Sequence, residues 1–437
     1  MHRTNRYIPG FLLVCGLLLD TGAWSMDFII DKGVVNPIPI AIVPFVWSQP
    51  TGTPPVNITA VISDDLKHSA RFVSMEEKDM PQQPHDFNEI QFRDWQRLRM
   101  ENLLVGQIKL TDKGDYLVEY QLIDAYKGQQ IAGGSIPSTQ KELRRTAHEI
   151  SDIIYEKLIG VRGAFTTRIV YVKVVKGRKG AKTYTLHISD ADGHNDWILL
   201  KSKEPLLSPA WSPDGEKLAY VSFESRNSAV YIQDVLSGAR EKVASNPGIN
   251  SAPAWSPDGD YLALTLSKEG NPEIYIMQVA SKQLTRMTNN RAIDTEPTWS
   301  PDGKTLAFTS DRGGNPQIYE IPVGGGDPKR LTFDGIYNAC PVYSPDGKYL
   351  ALVHGEGRTY RIALYDRSSK QISMLSTSSM DESPSFAPNG HMIIYTTYAT
   401  NGTRSTTLAA ISVDGSVHLL PQEGEVREPA WSPFPAR

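Results

Sequence analysis

Cysteine is scarce in this sequence, which has only Cys15 and Cys340 among 437 residues. Cys15 lies inside an apolar run, Phe11 to Leu19, which follows two arginines. This run is about nine residues long, roughly half of what a membrane-spanning helix needs. A charged start, a short apolar run and small residues at the cleavage positions are typical of a signal peptide, which we place at residues 1–25.

Removal of a signal peptide leaves Cys340 alone, so we expect no internal disulfide. An exported protein without disulfides fits a periplasm-like space and a core large enough to need no covalent cross-link. A lipid-anchored Cys15 is the alternative, but Val14 is too large for the small residue that should precede an acylated cysteine. We therefore predict a periplasmic protein that begins near Met26.

The rest of the sequence lacks long apolar runs, strong net charge and known catalytic motifs. The formal net charge is −4, which makes nucleic acid and anionic lipid poor partners. No GxSxG elbow, phosphate loop or HExxH motif occurs, and His148-Glu149 is not followed by a second histidine. Cys340 precedes a proline, where a buried structural thiol is favoured over a nucleophile. We therefore expect a non-enzymatic protein with no cofactor, no metal and no membrane insertion.

The sequence does contain a repeat with a period of about 44 residues, and periods in the forties made of short strands are typical of four-stranded propeller blades. The repeat is marked by WSPDG or a variant of it. Six such motifs predict six blades. Their aromatic residues are Trp211, Trp255, Trp299, Tyr343, Phe386 and Trp431.

One repeat, at 296–333, illustrates the predicted blade. Apolar and polar residues alternate in four segments, as half-buried strands require. The Ser-Pro-Asp-Gly tetrapeptide has the proline and glycine positions of a tight turn, so we assign its aspartate to turn capping rather than catalysis. We expect the preceding aromatic ring to wedge between neighbouring blades. The predicted strands are Pro297 to Trp299, Thr305 to Thr309, Gln317 to Val323 and Lys329 to Phe333.

The ends of the repeat region predict how the ring closes. The last motif begins at Trp431, and the chain reaches Arg437 before a second strand can form. Unmatched strand-like segments at 168–174 and 184–189 precede the first full repeat. We therefore predict that these N-terminal strands complete the blade that the C-terminus begins, so that no sheet edge stays open.

Residues 26–160 lack the repeat and predict a small α/β domain with a mixed sheet. Residues 161–167 are the predicted hinge, and 168–437 form the propeller. Segment 26–37 is read either as mobile or as an edge strand of this domain, and both readings stay open. The predicted strands are 38–47, 103–110 and 116–126, and the predicted helices are 58–71, 92–100 and 138–158, the last opened by Ser138.

The loops that enter each inner strand should surround one mouth of the propeller channel. Several of these loops contain acidic residues, which predicts an acidic mouth suited to docking a protein with complementary donors. The alternative is ordinary solvated loop charge. The acidic residues concerned are Asp294, Glu296, Asp381, Glu382, Glu425 and Glu428.

Some segments of the sequence are specific enough to indicate a protein family. They are IIDKGVVNPIPIAIVPF at 29–45, DTEPTWSPDG at 294–303, LAFTSDRGGNPQIYEIPVGGG at 306–326, MDESPSFAPNG and the terminal PAWSP. With the signal peptide, the α/β domain and the propeller, they resemble the TolB family of the Tol-Pal system of Gram-negative envelopes. The resemblance covers essentially the whole chain.

This resemblance implies protein docking without chemistry, in envelope integrity and cell division. In the family the propeller mouth holds the peptidoglycan-associated lipoprotein Pal, and the mature N-terminus contacts the inner-membrane-anchored protein TolA. The two uses are coupled, colicins exploit some relatives for import, and we expect a monomer. By motif, the lipoprotein-binding residues would be Asn250, Ala252, Thr295, Glu296 and Glu382. The TolA-binding residues would be Met26, Asp27, Phe28, Ile29, Ile30, Asp31, Lys32, Gly33 and Val34.

Two other functions remain open from the residues alone. A propeller hydrolase or lactonase would need acidic or histidine side chains converging on a metal in the channel. A carbohydrate-binding propeller would need exposed aromatic side chains around the mouth. Ile249 stands where relatives often have a histidine, so the contacts of that loop are expected to differ.

Overall fold

The structure, a computed structural model, describes residues 37–49, 52–177, 180–398, 405–413, 415–420 and 424–436. These residues form an α/β domain followed by a six-bladed β-propeller, which confirms the predicted fold class. The predicted signal peptide and the predicted TolA-binding residues lie outside the described residues.

The α/β domain has one mixed sheet, in which β1 lies parallel to β3 and β4, while β4, β5 and β6 are antiparallel. The order is β3-β1-β4-β5-β6, and β2 pairs with β4. The strands are β1 Ile38–Ile42, β2 Val46–Trp47, β3 Phe72–Ser74, β4 Asn102–Leu110, β5 Tyr116–Asp124 and β6 Gln129–Ser138. The helices are α1 Ile58–His68, α2 Phe92–Arg97 and α3 Leu143–Ile159, with 3-10 turns at Glu77–Asp79 and Phe87–Glu89.

Apolar side chains at helical spacing fix α1 and α3 on one face of this sheet. Ile62 and Leu66 of α1 and Ile150 and Ile154 of α3 are fully buried in the same cluster as Leu104 of β4. The opposite face is covered by α2, whose Trp95 is also fully buried. Each such side chain stabilises the domain by about 2 kcal/mol through burial.

The prediction that Ser138 opens the last helix is wrong. Ser138 ends β6 and pairs with Tyr116, and α3 begins at Leu143. The side chain of Glu142 accepts hydrogen bonds from the backbone N–H and the hydroxyl of Thr139, which fixes the turn between the two elements. Strand β6 was not predicted, because its two adjacent glycines and exposed polar residues carry no strand periodicity.

The propeller consists of six four-stranded antiparallel sheets. Blade 1 contains β10 Leu206–Trp211, β11 Lys217–Ser225, β12 Asn227–Asp234 and β13 Arg240–Ala244. Blade 2 contains β14 Asn250–Trp255, β15 Tyr261–Leu266, β16 Glu273–Gln278 and β17 Leu284–Arg286. Blade 3 contains β18 Asp294–Trp299, β19 Thr305–Ser310, β20 Gln317–Pro322 and β21 Lys329–Arg330.

Blades 4 and 5 follow the same order. Blade 4 contains β22 Tyr337–Tyr343, β23 Tyr349–Glu356, β24 Thr359–Asp366 and β25 Ile372–Met374. Blade 5 contains β26 Glu382–Phe386, β27 Met392–Tyr398, β28 Thr406–Ser412 and β29 Val417–Leu419. Blade 6 takes strands from both ends of the propeller: β30 Glu425–Trp431 pairs antiparallel with β7 Arg168–Lys176, followed by β8 Lys182–Asp190 and β9 Trp197–Ser202.

The tryptophans of the repeat join neighbouring blades. The indole N–H of Trp299 in blade 3 donates to the carbonyl of Ala254 in blade 2, at 3.0 Å. Trp255 and Trp211 make the equivalent bond to the blade before them, at 3.2 and 3.1 Å. A buried ring together with a satisfied N–H favours one arrangement of adjacent sheets. The predicted wedge is therefore present.

The aspartate of each Ser-Pro-Asp-Gly turn caps that turn. In blade 3 the Ser300 hydroxyl donates to Asp302 at 2.6 Å, and Asp302 also accepts from the backbone N–H of Lys304 at 3.1 Å. The hydrogen bond from Ser300 is the main cause that lowers the pKa of Asp302. Gly303 has φ +68°, which glycine adopts without strain.

Candidate docking site at the propeller mouth

Each inner strand of the propeller contains a β-bulge at one fixed position. At this position two residues oppose one residue of the neighbouring strand, and the second of the two is a proline, which has no N–H to donate. The first adopts a left-handed backbone with φ between 48° and 56°. These six bulge residues are Ser208, Ala252, Glu296, Cys340, Ser383 and Glu428.

The six bulge residues all line one channel along the propeller axis, with a volume of about 920 Å³. A residue with positive φ directs its side chain differently from its extended neighbours, so the bulge is what brings these side chains to the channel. The channel therefore presents two carboxylates, two hydroxyls, one thiol and one methyl group at equivalent positions.

Glu296 connects blade 3 to blade 4. Its carboxylate accepts from the backbone N–H of Cys340 at 2.9 Å and from the hydroxyl of Thr309 at 2.8 Å. The thiol of Cys340 also donates to this carboxylate, at 3.1 Å. Burial and the nearby charge of Glu296 raise the pKa of the thiol well above its usual value. Cys340 is therefore held as a neutral thiol, which is a poor nucleophile.

Glu428 connects blade 6 to blade 1 in the same way. Its carboxylate accepts from the backbone N–H of Ser208, and its own backbone N–H donates to the hydroxyl of Thr396 at 3.1 Å. Burial is the main cause that raises the pKa of Glu428, and the charge of Glu382 adds to it. The carboxylates of Glu296 and Glu428 are thus engaged with the backbone of the next blade.

The predicted acidic residues reach the channel only in part, because Glu296, Asp381, Glu382 and Glu428 line it and Asp294 and Glu425 do not. Asp294 is fully buried and bonded to Arg312 at 2.7 Å, and Asp381 is 1% exposed. Glu425 forms ion pairs with Lys176 and Arg427 at 3.1 and 3.2 Å. Loop composition does not show which side chains turn inward to arginine or backbone donors. Glu382 is the exposed carboxylate among them.

The rim of the mouth is also partly apolar. Ile249 and Ile293 each directly precede an inner strand, and Met380 lies two residues before one. These residues are 45%, 48% and 44% exposed. Tyr398 is also exposed, and it lines the channel together with Tyr337 and Met380. Exposed apolar groups in equivalent loops of neighbouring blades are suited to burial against a protein surface.

The five residues assigned to lipoprotein binding do not all reach the channel. Ala252, Glu296 and Glu382 line it. Asn250 is fully buried, and its amide donates to Ser228 and Asn246 carbonyls at 3.0 and 2.7 Å. The half-buried Thr295 lies beside Thr265, with 3.4 Å between the hydroxyl oxygens. Asn250 and Thr295 therefore do not line the channel.

Sequence reasoning missed the bulge position as the one that builds the channel. Ser208 and Ser383 were not singled out, and Glu428 was named only as a loop charge. The signal was present in the sequence, because every repeat has a proline two residues before the last residue of the inner strand, as in SPAW and EPTW. A proline inside a strand indicates a bulge or an edge.

The described residues bring metal-ligand atoms together outside the channel. Among the residues that the structure describes, no histidine lines the channel. Asp65, His148 and Asp192 offer ligand atoms within 4.8 Å of one another outside it. The guanidinium of Arg144 contacts the carboxylate of Asp192, so we interpret this cluster as an ion network. No described helix is both long and apolar enough for a membrane span.

Comparison with known proteins assigns the family. Residues 27–131 match the TolB amino-terminal domain, and residues 155–435 match the TolB β-propeller domain. The chain belongs to the TolB family. The Tol-Pal system protein TolB of Thioalkalivibrio sulfidiphilus is 58% identical over 97% of both chains. That of Nitrosococcus oceani is 60% identical over 92% of both chains.

A solved TolB structure shares this fold. The crystal structure of TolB from Acinetobacter baumannii matches with a TM-score of 0.83 and 42% identity, and the match covers 91% of this chain and 97% of that one. The recognised family and the propeller architecture are thereby confirmed.

Proposed function

We propose that this TolB family protein is a non-enzymatic docking component of the Tol-Pal system in the periplasm. Its propeller mouth would hold the lipoprotein Pal, and its N-terminal segment would contact TolA, with a role in envelope integrity and cell division. The proposal draws on the names of the relatives and on the family resemblance. The observation that carries it is the mouth itself, in which an apolar rim surrounds a channel with engaged carboxylates.

The chemistry of the channel favours docking over catalysis. A hydrolase needs a nucleophile or base that is free to exchange protons with a substrate. Glu296 and Glu428 instead accept from backbone N–H groups, and Cys340 is a neutral thiol. A rim of exposed isoleucine, methionine and tyrosine gives a partner apolar area to bury, with Glu382 as an exposed charge at the entrance.

The lipoprotein contact can be tested at Glu382. Glu382→Gln removes an exposed charge at the entrance, and we expect it to weaken binding of purified Pal by about tenfold, as for a charge pair buried on association. Isothermal titration calorimetry measures the affinity. Glu216→Gln is the matched control, since this exposed carboxylate follows the Ser-Pro-Asp-Gly turn at the other end of the blade.

Glu296 needs a separate comparison, because its carboxylate also joins two blades. Glu296→Gln keeps an acceptor for the Cys340 N–H, whereas Glu296→Ala leaves that donor unpaired, at a cost of about 1–3 kcal/mol. We expect only the alanine variant to lower the urea midpoint clearly. Pal binding that is unchanged in both Glu382→Gln and Glu296→Gln would move the docking site away from the channel.

The TolA contact is tested by deleting Met26 to Val34. We expect loss of TolA capture, because an apolar segment of this kind can add as a strand to a partner's sheet edge, with Pal binding and the unfolding midpoint retained. A scrambled segment of the same composition is the control. Retained TolA capture by the deletion variant would contradict the assignment.

A further inference from the structure

Four histidines lie where the α/β domain meets the propeller. His68 and His148 belong to α1 and α3, and His391 and His418 belong to blade 5. The rings of His68 and His418 stack with 4.4 Å between their centroids, and the hydroxyl of Tyr155 is 2.7 Å from Nδ1 of His391. This domain contact is therefore rich in imidazole side chains, and burial together with the neighbouring His68 lowers the pKa of His418 to about 3.

His148 is the most enclosed of these groups. It is 2% exposed and lies between two carboxylates, one from each domain. Its Nδ1 is 2.8 Å from Asp65 of α1, and its Nε2 is 3.5 Å from Asp192, in the turn after β8 of blade 6. Arg144, one turn before His148 on α3, pairs with the same Asp192 carboxylate.

The protonation state of His148 decides whether its contact with Asp192 is attractive or repulsive. A neutral ring that donates from Nδ1 to Asp65 directs the lone pair of Nε2 toward Asp192, so that two acceptors face each other. This Nε2 has no hydrogen-bond partner among the described residues. The imidazolium instead presents an N–H to each carboxylate and balances two buried negative charges.

The surrounding charges favour the protonated form. Burial lowers the pKa of His148, but the negative charges of Asp65, Asp192 and Asp190 outweigh it, so that the pKa is raised above 6.5. Arg144 is the opposing cation, and it is itself paired with Asp192. Because the pKa is raised in the folded protein, the stabilisation is fully present below the ordinary histidine pKa and is lost as the pH rises through the raised value.

We infer that Asp65, His148 and Asp192 form a proton-dependent latch between the α/β domain and blade 6. The protonated His148 holds the domains together, and loss of its proton weakens their contact. The latch is formed within this chain, and the inference does not depend on whether the propeller mouth binds Pal. It would make the relative freedom of the two domains depend on the pH outside the cytoplasmic membrane.

The first test measures the proton directly. Histidine-selective NMR titration of the full chain, with the His148 signal assigned through His148→Gln, should give a pKa above the ordinary value of about 6.5. In Asp192→Asn the pKa of His148 should fall by about one unit, because one of its two carboxylates is gone. A His148 pKa below the ordinary value in the parent chain would overturn the latch.

The second test measures the domain contact. Spin labels at Lys113→Cys in the α/β domain and Leu236→Cys in blade 1, in a Cys340→Ser background, report the distance between the domains. We expect one narrow distribution at about pH 6 and an added, displaced population at about pH 9. His148→Gln should abolish this pH dependence.

His194→Gln is the matched control for the latch. His194 is exposed, with its Nδ1 3.4 Å from the same Asp192 carboxylate, and it does not bridge the two domains. This variant should keep the pH response of the parent chain. A response that survives in His148→Gln but disappears in His194→Gln would assign the effect to the exposed histidine and refute the proposed latch.

Discussion

The protonation of a single channel carboxylate depends on its burial and on the hydrogen-bond donors that it contacts. Glu428 shows this, because it is half-buried and its carboxylate carries a raised pKa although it accepts from the Ser208 N–H. Desolvation of the charged form outweighs the hydrogen bond. Folding therefore favours the protonated carboxyl, and the stability that this group contributes is present below its ordinary pKa and lost as the pH rises.

The raised pKa of Glu428 predicts how its replacement changes the stability of the protein. Glu428→Gln keeps an acceptor for Ser208 and removes the buried charge, so we expect a higher free energy of unfolding than in the parent chain at about pH 7.5. The difference should shrink toward about pH 4.5, where the parent carboxyl takes up its proton. Urea unfolding at both pH values measures it. An equal or lower stability of the variant at the higher pH would show that the charge is compensated.

Residue positions were the least predictable part of the site. The sequence places Glu296 and Glu428 in loops before the aromatic motif, but nothing local shows that their carboxylates reach the backbone of the next blade. Asn250 matched the family motif and yet is buried. These contacts are made between blades, so they depend on tertiary packing that periodicity does not encode.

Elements were predicted far better than side chains, because strand alternation and turn residues are local signals. The second and third strands of blade 3 begin at Thr305 and Gln317, as predicted. The outer strand was predicted to Phe333 but ends at Arg330. Outer strands pair on one side only, so burial does not extend them. Strand β6 was missed for the related reason that its sequence is neutral and exposed.

The wedge between blades can be divided into its two contributions at Trp299. Trp299→Phe keeps an apolar ring but loses the donor to Ala254, and we expect a cost of about 1 kcal/mol. Trp299→Ala also loses the buried ring, and about 3–5 kcal/mol is expected. Urea unfolding followed by circular dichroism gives both values. Equal losses in the two variants would assign the whole effect to the N–H.

The whole propeller depends on one sheet that is drawn from two distant parts of the chain. Glu425 of β30 pairs with Val174 of β7, and the Trp431 indole donates to the hydroxyl of Thr167 at 2.7 Å. The repeat count and the unmatched strand at 168–174 were enough to predict this pairing from the sequence. The contacts between the domains were not predictable, because they join residues such as His148 and Asp192 that belong to no shared pattern.

Deletion of residues 425–437 removes the inner strand of blade 6 and leaves β7 with an open edge. We expect loss of the cooperative thermal transition of the propeller rather than a modest shift, because every blade packs against two neighbours. Differential scanning calorimetry checks this. Deletion of residues 436–437 alone is the control and should melt like the parent chain. A cooperative propeller transition in the longer deletion would contradict the dependence on blade 6.

Because of the repeated bulge, the residues that build the propeller differ from the residues that a bound partner would contact in the channel. The framework is specified by the prolines, aromatic residues and turns, while six of the residues that line the channel, one in each blade, stand at the bulge position. A single substitution at such a position exchanges one functional group in the channel and leaves the strand pairing around it in place. Partner preference in this architecture can therefore change through single substitutions at the bulge positions while the fold of the propeller is kept.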